Sequence, residues 1–271
     1  MPVVRLKVEA TRVHRRWDHA ALASDGRILL TAWGPNGAFR YELAGKPLSL
    51  PRFEEARVRA CGDRFVFVGH PWAAKTDAEL IVIGEGSYTI PRRHEAHFLD
   101  VWLAGDRVAF VASDRFHVVH GIGLVEGKLG GKTGPVRELA SARRAIALHA
   151  VLLDGDRRYA LASIGYRKHA LLALAAKGKS YAARTVFTLQ ADEAMFSATG
   201  AHVVLHRRGA PVQIVALDGT KLATLRPKPH PYAYLSLAAA TPGQLAFRGH
   251  SRRGDDDDVL IVETSPWPST A

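Results

Sequence analysis

Phe98-Leu99-Asp100-Val101-Trp102-Leu103-Ala104-Gly105-Asp106-Arg107-Val108-Ala109-Phe110-Val111-Ala112-Ser113 reads as an apolar run, a polar turn and a second apolar run. Two runs rich in Val, Phe, Trp and Leu on either side of a short Gly-Asp turn predict a β-hairpin. The glycine fits because a tight hairpin turn often needs a positive φ at one position, which a residue without Cβ adopts freely. The same reading recurs along the chain. Turns of this kind stand at Asp25-Gly26-Arg27, Gly62-Asp63-Arg64, Gly155-Asp156-Arg157, Gly200-Ala201-His202 and Gly243-Gln244-Leu245. Starting from Gly26 the glycines are 36, 43, 50, 45 and 43 residues apart, so the hairpin belongs to a repeated unit.

Each unit has room for four short strands. In the first they are expected at residues 20–23, 28–33, 38–43 and 47–50. The third strands of the later units follow at 79–83, 116–119, 170–173, 212–216 and 259–263. Three of the fourth strands close alike, with Pro beside Arg at Pro51-Arg52, Pro91-Arg92 and Arg226-Pro227. The last unit lacks a fourth strand of its own, since only Ser265-Pro266-Trp267-Pro268 and a short remainder follow, which read as a tail. The start of the chain offers one. Val4, Leu6 and Val8 alternate with Arg5, Lys7 and Glu9, the period of a half-exposed strand. Residues 2–9 are therefore expected to complete the last unit, because closure removes open strand edges.

A repeat of roughly 40–50 residues with several short strands per unit resembles the β-propeller superfamily, over nearly the whole chain. The resemblance implies an all-β fold, a six-bladed β-propeller of four-stranded blades with the N-terminal strand completing the last blade. It implies one domain over residues 1–271, with blades at about 17–50, 54–90, 95–140, 143–189, 192–225 and 230–264 plus 2–9. The period is WD40-like without the signature: Trp17-Asp18 occurs once and precedes a first strand instead of closing a blade. No Gly-Gly doublet recurs as in kelch repeats. A seventh, degenerate blade within residues 121–142 is the alternative.

No run of about 18 apolar residues predicts a transmembrane helix, and the first residues lack the long apolar core of a signal peptide. Cys61 is the single cysteine, so no internal disulfide can form, and its apolar surroundings mark it as a small core residue. A cytoplasmic location is the expectation. The net charge of +11 comes from 37 basic and 26 acidic residues and favours anionic partners.

In propellers, the loops joining one blade to the next and those joining a blade's second and third strands share one face. Sorted on that implication, the charges separate. The blade-to-blade connections carry His14-Arg15-Arg16, Arg92-Arg93-His94, Arg143-Arg144 and Arg226 to His230. The second-to-third-strand loops carry Lys75, Arg115, Arg167-Lys168-His169, His206-Arg207-Arg208 and His250-Ser251-Arg252-Arg253. The opposite side receives Asp25, Asp63, Glu85, Asp106, Glu126, Asp154, Asp156 and Asp218 with fewer basic groups, mainly Lys128, Lys132 and Lys177. Arg15, Arg16, Arg92, Arg93, Arg143, Arg144, Arg167, Lys168, Arg207, Arg208, Arg252 and Arg253 are accordingly the candidate partner-binding residues. Paired guanidinium groups suit phosphate or carboxylate through bidentate hydrogen bonds. Trp17, Trp72, Tyr166 and Tyr232 are candidate stacking surfaces beside them.

Acids recur just ahead of the first strands, at Asp18, Glu55, Glu95 and Glu193. Near a channel mouth they suit either ion pairs with the neighbouring arginines or a divalent metal. Other motifs fail on spacing. Gly131-Lys132-Thr133 has Glu126 where a phosphate-binding loop needs its first glycine. His94-Glu95-Ala96-His97 is one residue short of the zinc-protease spacing, and His117 and His120 fall on opposite faces of a strand. Asp255, Asp256, Asp257 and Asp258 lack the alternation of a calcium loop. Six-bladed lactonase-like enzymes use Glu, Asn and Asp metal ligands, and Asn36, the sole asparagine, sits in an outer loop. The reading is a non-catalytic scaffold or binding module, without cofactor, that docks an acidic protein or nucleic acid on its basic loops. The alternative is a metal-dependent hydrolase built on the channel-mouth carboxylates.

Overall fold

The computed structural model describes residues 2–34, 39–51, 53–71, 78–90, 97–113, 123–131, 134–135, 137–139, 147–227, 231–250 and 257–268. The chain divides into two compact units, one made of Met1–Arg52 with Ala191–Ala271 and the other of Phe53–Gln190.

In the continuous unit, Phe53–Cys61, Arg64–Pro71, Ala78–Val82 and Gly86–Ile90 pair antiparallel in chain order as one four-stranded sheet. A second quartet follows, His97–Ala104, Arg107–Ser113, Gly123–Lys128 and Arg137–Leu139. A third comprises Ala147–Asp154, Arg157–Gly165, Lys168–Lys177 and Ser180–Gln190. The last strands of these two quartets pair in parallel through Glu138↔Ser180 and Leu139↔Tyr181, which fuses them into one eight-stranded sheet. The expected third strand at 116–119 is corrected: Gly123–Lys128 is the strand that pairs with Arg107–Ala112, and 114–122 lies outside the described residues.

The opening hairpin forms as expected. Ala104↔Arg107 brackets a two-residue loop in which Gly105 has φ 61° and Asp106 stays in the ordinary range. Asp154↔Arg157 brackets the same loop, with Gly155 at φ 54°. Glycine with positive φ at the first central position is the type II′ turn, whose twist matches the strands it joins. The arginine of the repeat has its own task. Arg64 donates from Nη1 to the Gly105 carbonyl at 2.6 Å, and Arg107 from Nη1 to the Gly155 carbonyl at 2.5 Å. Each arginine thus fastens its turn to the next one along the chain.

Second strands are buried on both faces. Val108, Ala109, Phe110, Val111 and Ala112 are all buried, as are Phe65 to Val68 and Ala160 to Ala162. This explains why they read as continuous apolar runs and not as alternating ones. Asp100, beside a bulge between Phe98 and Asp100, is buried among them. It accepts from Arg59 Nη1 at 2.8 Å and from the Val151 N–H at 2.9 Å, so one carboxylate ties together the first strands of three successive quartets. Burial pushes its carboxyl up, and the Arg59 guanidinium and two N–H donors pull against that. Cys61 is a buried free thiol that accepts the Leu103 N–H, and burial pushes it up to about 12.

In the discontinuous unit, His19–Leu22, Ile28–Trp33, Phe39–Leu43 and Lys46–Leu48 form a four-stranded antiparallel sheet. Glu193–Phe196, His202–His206, Val212–Ala216 and Lys221–Leu225 form another, to which Val4–Arg5 adds a fifth strand in parallel. Tyr234–Thr241, Gln244–His250 and Asp258–Thr264 form the last, completed by Val8–Arg15.

The completing strand is therefore Val8–Arg15, antiparallel to Asp258–Thr264, and not residues 2–9. The alternation that suggested 2–9 has another cause. Leu6 alone is buried, in the core shared with Val204, Leu225 and Leu245, whereas Val4 and Val8 are exposed. The chain leaves one sheet at Arg5, buries Leu6 and joins the next sheet at Val8. The tail is also more than a tail: Trp267 is buried in that core and donates from Nε1 to Thr264 Oγ1 at 3.0 Å.

Candidate functional site

Two connections of the discontinuous unit meet at a cleft of about 320 Å³. The loop after His202–His206 supplies Arg208, Gly209 and Ala210; the segment after Lys221–Leu225 supplies Arg226 and Pro227; and the approach to the last quartet supplies Ala233, Tyr234 and Leu235, with His206 at its edge. These are the two loop types that the sequence sorts to one basic face.

Arg208 is held from both ends. Its backbone N–H donates to Asp192 Oδ2 at 2.7 Å. Its guanidinium lies over the Tyr234 ring, 3.9 Å from the centroid. Tyr234 in turn stacks on His250, with ring centroids 4.1 Å apart and planes at 22°. His250 is fixed by Ser236 Oγ, 2.7 Å from Nε2, and by Asp257 Oδ1, 3.4 Å from Nδ1. Arg248 pairs with the other oxygen of Asp257. The result is a three-layer stack of guanidinium, phenol and imidazole whose base is clamped and whose positive top borders the cleft. His206, nearly buried, pairs through Nδ1 with Glu193 Oε2 at 2.9 Å and sets its ring edge-on to Phe247.

Asp192 is part of a device that occurs twice. Its N–H donates to the His206 carbonyl at 2.9 Å while its carboxylate accepts the Arg208 N–H. Asp18 does the same: its N–H donates to the Thr31 carbonyl at 3.0 Å and its Oδ2 accepts the Trp33 N–H at 2.7 Å. An aspartate just before a first strand thus caps the end of the second strand. Glu193 Oε2 additionally accepts the Leu237 N–H at 2.5 Å, tying one first strand to the next as Asp100 does elsewhere. Among the described residues, no group of three or more His, Cys, Asp or Glu side chains is placed to hold a metal ion.

The remaining basic candidates are spread over other loops. Arg15 is exposed at the end of the completing strand. Arg16, at φ 62°, donates its N–H to Asp258 Oδ1 and offers its carbonyl to Arg40. Arg167 and Lys168 are exposed at a turn where Tyr166 is 88% exposed with the Arg167 guanidinium 5.1 Å from its ring. Arg207 is exposed beside Arg208. Arg92, Arg93, Glu95, Arg143, Arg144, Arg252, Arg253 and Trp72 lie outside the described residues, and of Glu55 only the backbone is described.

Among the aromatic candidates, Trp17 carries the Arg40 guanidinium at 4.4 Å. Tyr232 is buried and offers no stacking surface: its hydroxyl donates to Asp258 at 2.8 Å, and burial followed by that carboxylate pushes it up to about 12. A Cβ on Gly249 would come within 2.7 Å of the Tyr232 ring, so the glycine makes room for it. The residue that stacks is Tyr234, two positions on. The sequence shows two tyrosines either side of Ala233; which one is buried depends on Gly249, across the sheet.

No protein-family model matches the chain, and no curated protein sequence matches it. Among solved structures, the β-propeller domain of Cps50 (Swd1) from Myceliophteria thermophila is similar with a TM-score of 0.54 and 14% identity, covering 96% of this chain and 100% of that one. Raptor from Chaetomium thermophilum is similar with a TM-score of 0.49 and 14% identity, covering 97% of this chain and 25% of that one. The chain is an all-β propeller of four-stranded blades. Among the described residues no helix is long and apolar enough to cross a membrane.

Proposed function

We propose that the chain is a non-catalytic binding module, a six-bladed propeller in one domain, that docks an anionic protein or nucleic acid on its basic loops inside the cell. The observation that carries this is the cleft: Arg208 and Arg226 come from the two loop types predicted to share a face, and both border one concavity beside a stacked tyrosine. The net charge of +11 supports attraction of such partners over distance.

The test is binding of labelled single- and double-stranded nucleic acid, and of an acidic poly-glutamate chain, to the full-length protein at two salt concentrations. Anion docking is expected to weaken steeply with salt. Reversal of Arg15, Arg167, Lys168 and Arg207 to Glu is expected to flatten the salt slope, by about one unit for each phosphate that is no longer neutralised. No binding of any polyanion at low salt overturns the proposal.

A further inference from the structure

We infer that the cleft between Arg208 and Arg226 is a receptor for one phosphorylated side chain of a partner protein. The inference rests on the anion-docking reading and narrows it to a ligand class.

Charge points to a phosphomonoester. Among the described residues, those bordering the cleft include two arginines and no Asp or Glu. The acids behind them are already engaged: Asp192 with the Arg208 N–H, Glu193 with His206 and the Leu237 N–H, Asp257 with Arg248 and His250. Two guanidinium charges match the roughly −1.5 to −2 of a phosphorylated side chain near neutral pH. A carboxylate or a nucleic-acid phosphodiester supplies about half of that.

Size and walls point to a side chain. About 320 Å³ is at the small end of ligand pockets. Ala210, Pro227, Ala233 and Leu235 give it apolar walls that suit the stem of an amino-acid side chain. A continuous nucleic-acid strand would need an open groove tracking its backbone.

Preorganisation points to recognition and not to chance surface charge. A free arginine loses much rotamer entropy on binding an anion. Arg208 is already pinned at its backbone by Asp192 and its guanidinium carbon stands over Tyr234, itself seated on a His250 that Ser236 and Asp257 clamp. A guanidinium held over a ring in this way suits bidentate contact with phosphate oxygens through its planar fork.

The experiment is fluorescence-polarisation binding of degenerate phosphoserine, phosphothreonine and phosphotyrosine peptide pools to the full-length chain. The same pools after phosphatase treatment, pools with Glu at the fixed position, and a single-stranded oligonucleotide run alongside. A phosphorylated pool is expected to bind and its dephosphorylated and Glu forms to bind at least about tenfold more weakly. Arg208→Lys and Arg226→Gln, both at exposed positions, are expected to weaken it by about tenfold or more. Tyr234→Leu, which keeps both charges and removes the stack, is expected to weaken it as well. Lys221→Glu, an exposed change that does not border the cleft, leaves it unchanged; circular dichroism and melting verify that each variant folds. Equal binding of phosphorylated and dephosphorylated pools, or wild-type affinity in Arg208→Lys and Arg226→Gln, overturns the inference. If the oligonucleotide still binds in that case, the broader anion reading stands; if no anion binds at all, both fall.

Discussion

Glu126 shows how much one acid on a strand can organise. Its Oε1 accepts the Tyr181 hydroxyl at 2.7 Å and pairs with Arg158, so one carboxylate joins the two quartets of the eight-stranded sheet. Burial alone would push this carboxyl up, but the hydrogen bonds from Arg158 and Tyr181 and the nearby arginine charges outweigh it and hold the group below the usual glutamate value of 4.5. Tyr181, fully buried, is pushed up to about 12 by burial first and by Glu126 second. A carboxyl depressed by folding stabilises the fold above its unfolded value, and that contribution fades as pH falls through the folded one. Glu126→Gln is therefore expected to lose about 1–3 kcal/mol at pH 7, with the gap to wild type closing as pH drops below the usual glutamate value of 4.5. Urea titrations of both proteins across that range check it; a gap independent of pH would mean that the cost of the amide lies in packing and not in charge. From the sequence, Glu126 reads only as an acid on the less basic side, because its partners are 32 and 55 residues away.

Whole strands divide into those decided locally and those decided by a partner. Ile28–Trp33 and Val212–Ala216 appear with the expected bounds, since each is an apolar run ended by turn residues. The Gly-Asp-Arg hairpins were equally legible, although the glycine announces its φ and the arginine does not announce that it reaches the next turn. The N-terminal segment was legible in kind and wrong in register: Val4–Arg5 and Val8–Arg15 serve two different sheets, and only the burial of Leu6 separates them. Within its sheet, Val8–Arg15 covers the edge of Asp258–Thr264, and Arg12 pairs with Glu263 across it at 2.5 Å. Deleting residues 2–16 uncovers that edge and removes Leu6 from the core. The expected outcome is a melting temperature at least about 5 °C lower and faster amide exchange across Asp258–Thr264, read by hydrogen-exchange mass spectrometry. Unchanged exchange there would show that the strand adds nothing to its sheet. The cleft was legible in the same partial way. Arg208 was among the candidates and Arg226 stood in a basic connection, but the Tyr234–His250 stack that orders them depends on cross-strand register.

For the molecule as a whole, the excess of 37 basic over 26 acidic residues has a thermodynamic consequence. Several described acids already face arginines, as in Arg12–Glu263, Arg27–Asp25, Arg64–Glu85 and Arg158–Glu126, and the chain still carries a net charge of +11. Self-repulsion of that surplus lowers stability at low ionic strength, and simple salt relieves it by screening. A bound anion acts differently, because it adds RT ln(1 + [L]/Kd) to the stability of the folded state alone, about 2.7 kcal/mol at a hundredfold excess over Kd. The two effects separate at fixed ionic strength. Replacing part of the sodium chloride by heparin, with total ionic strength held constant, is expected to raise the melting temperature of the wild-type chain by several degrees. Because this gain comes from contacts with the basic loops, reversal of Arg15, Arg167, Lys168 and Arg207 to Glu is expected to reduce it while keeping the ordinary response to chloride. If heparin and chloride act alike at equal ionic strength, the surplus charge contributes only repulsion, and the basic loops are a solvated surface.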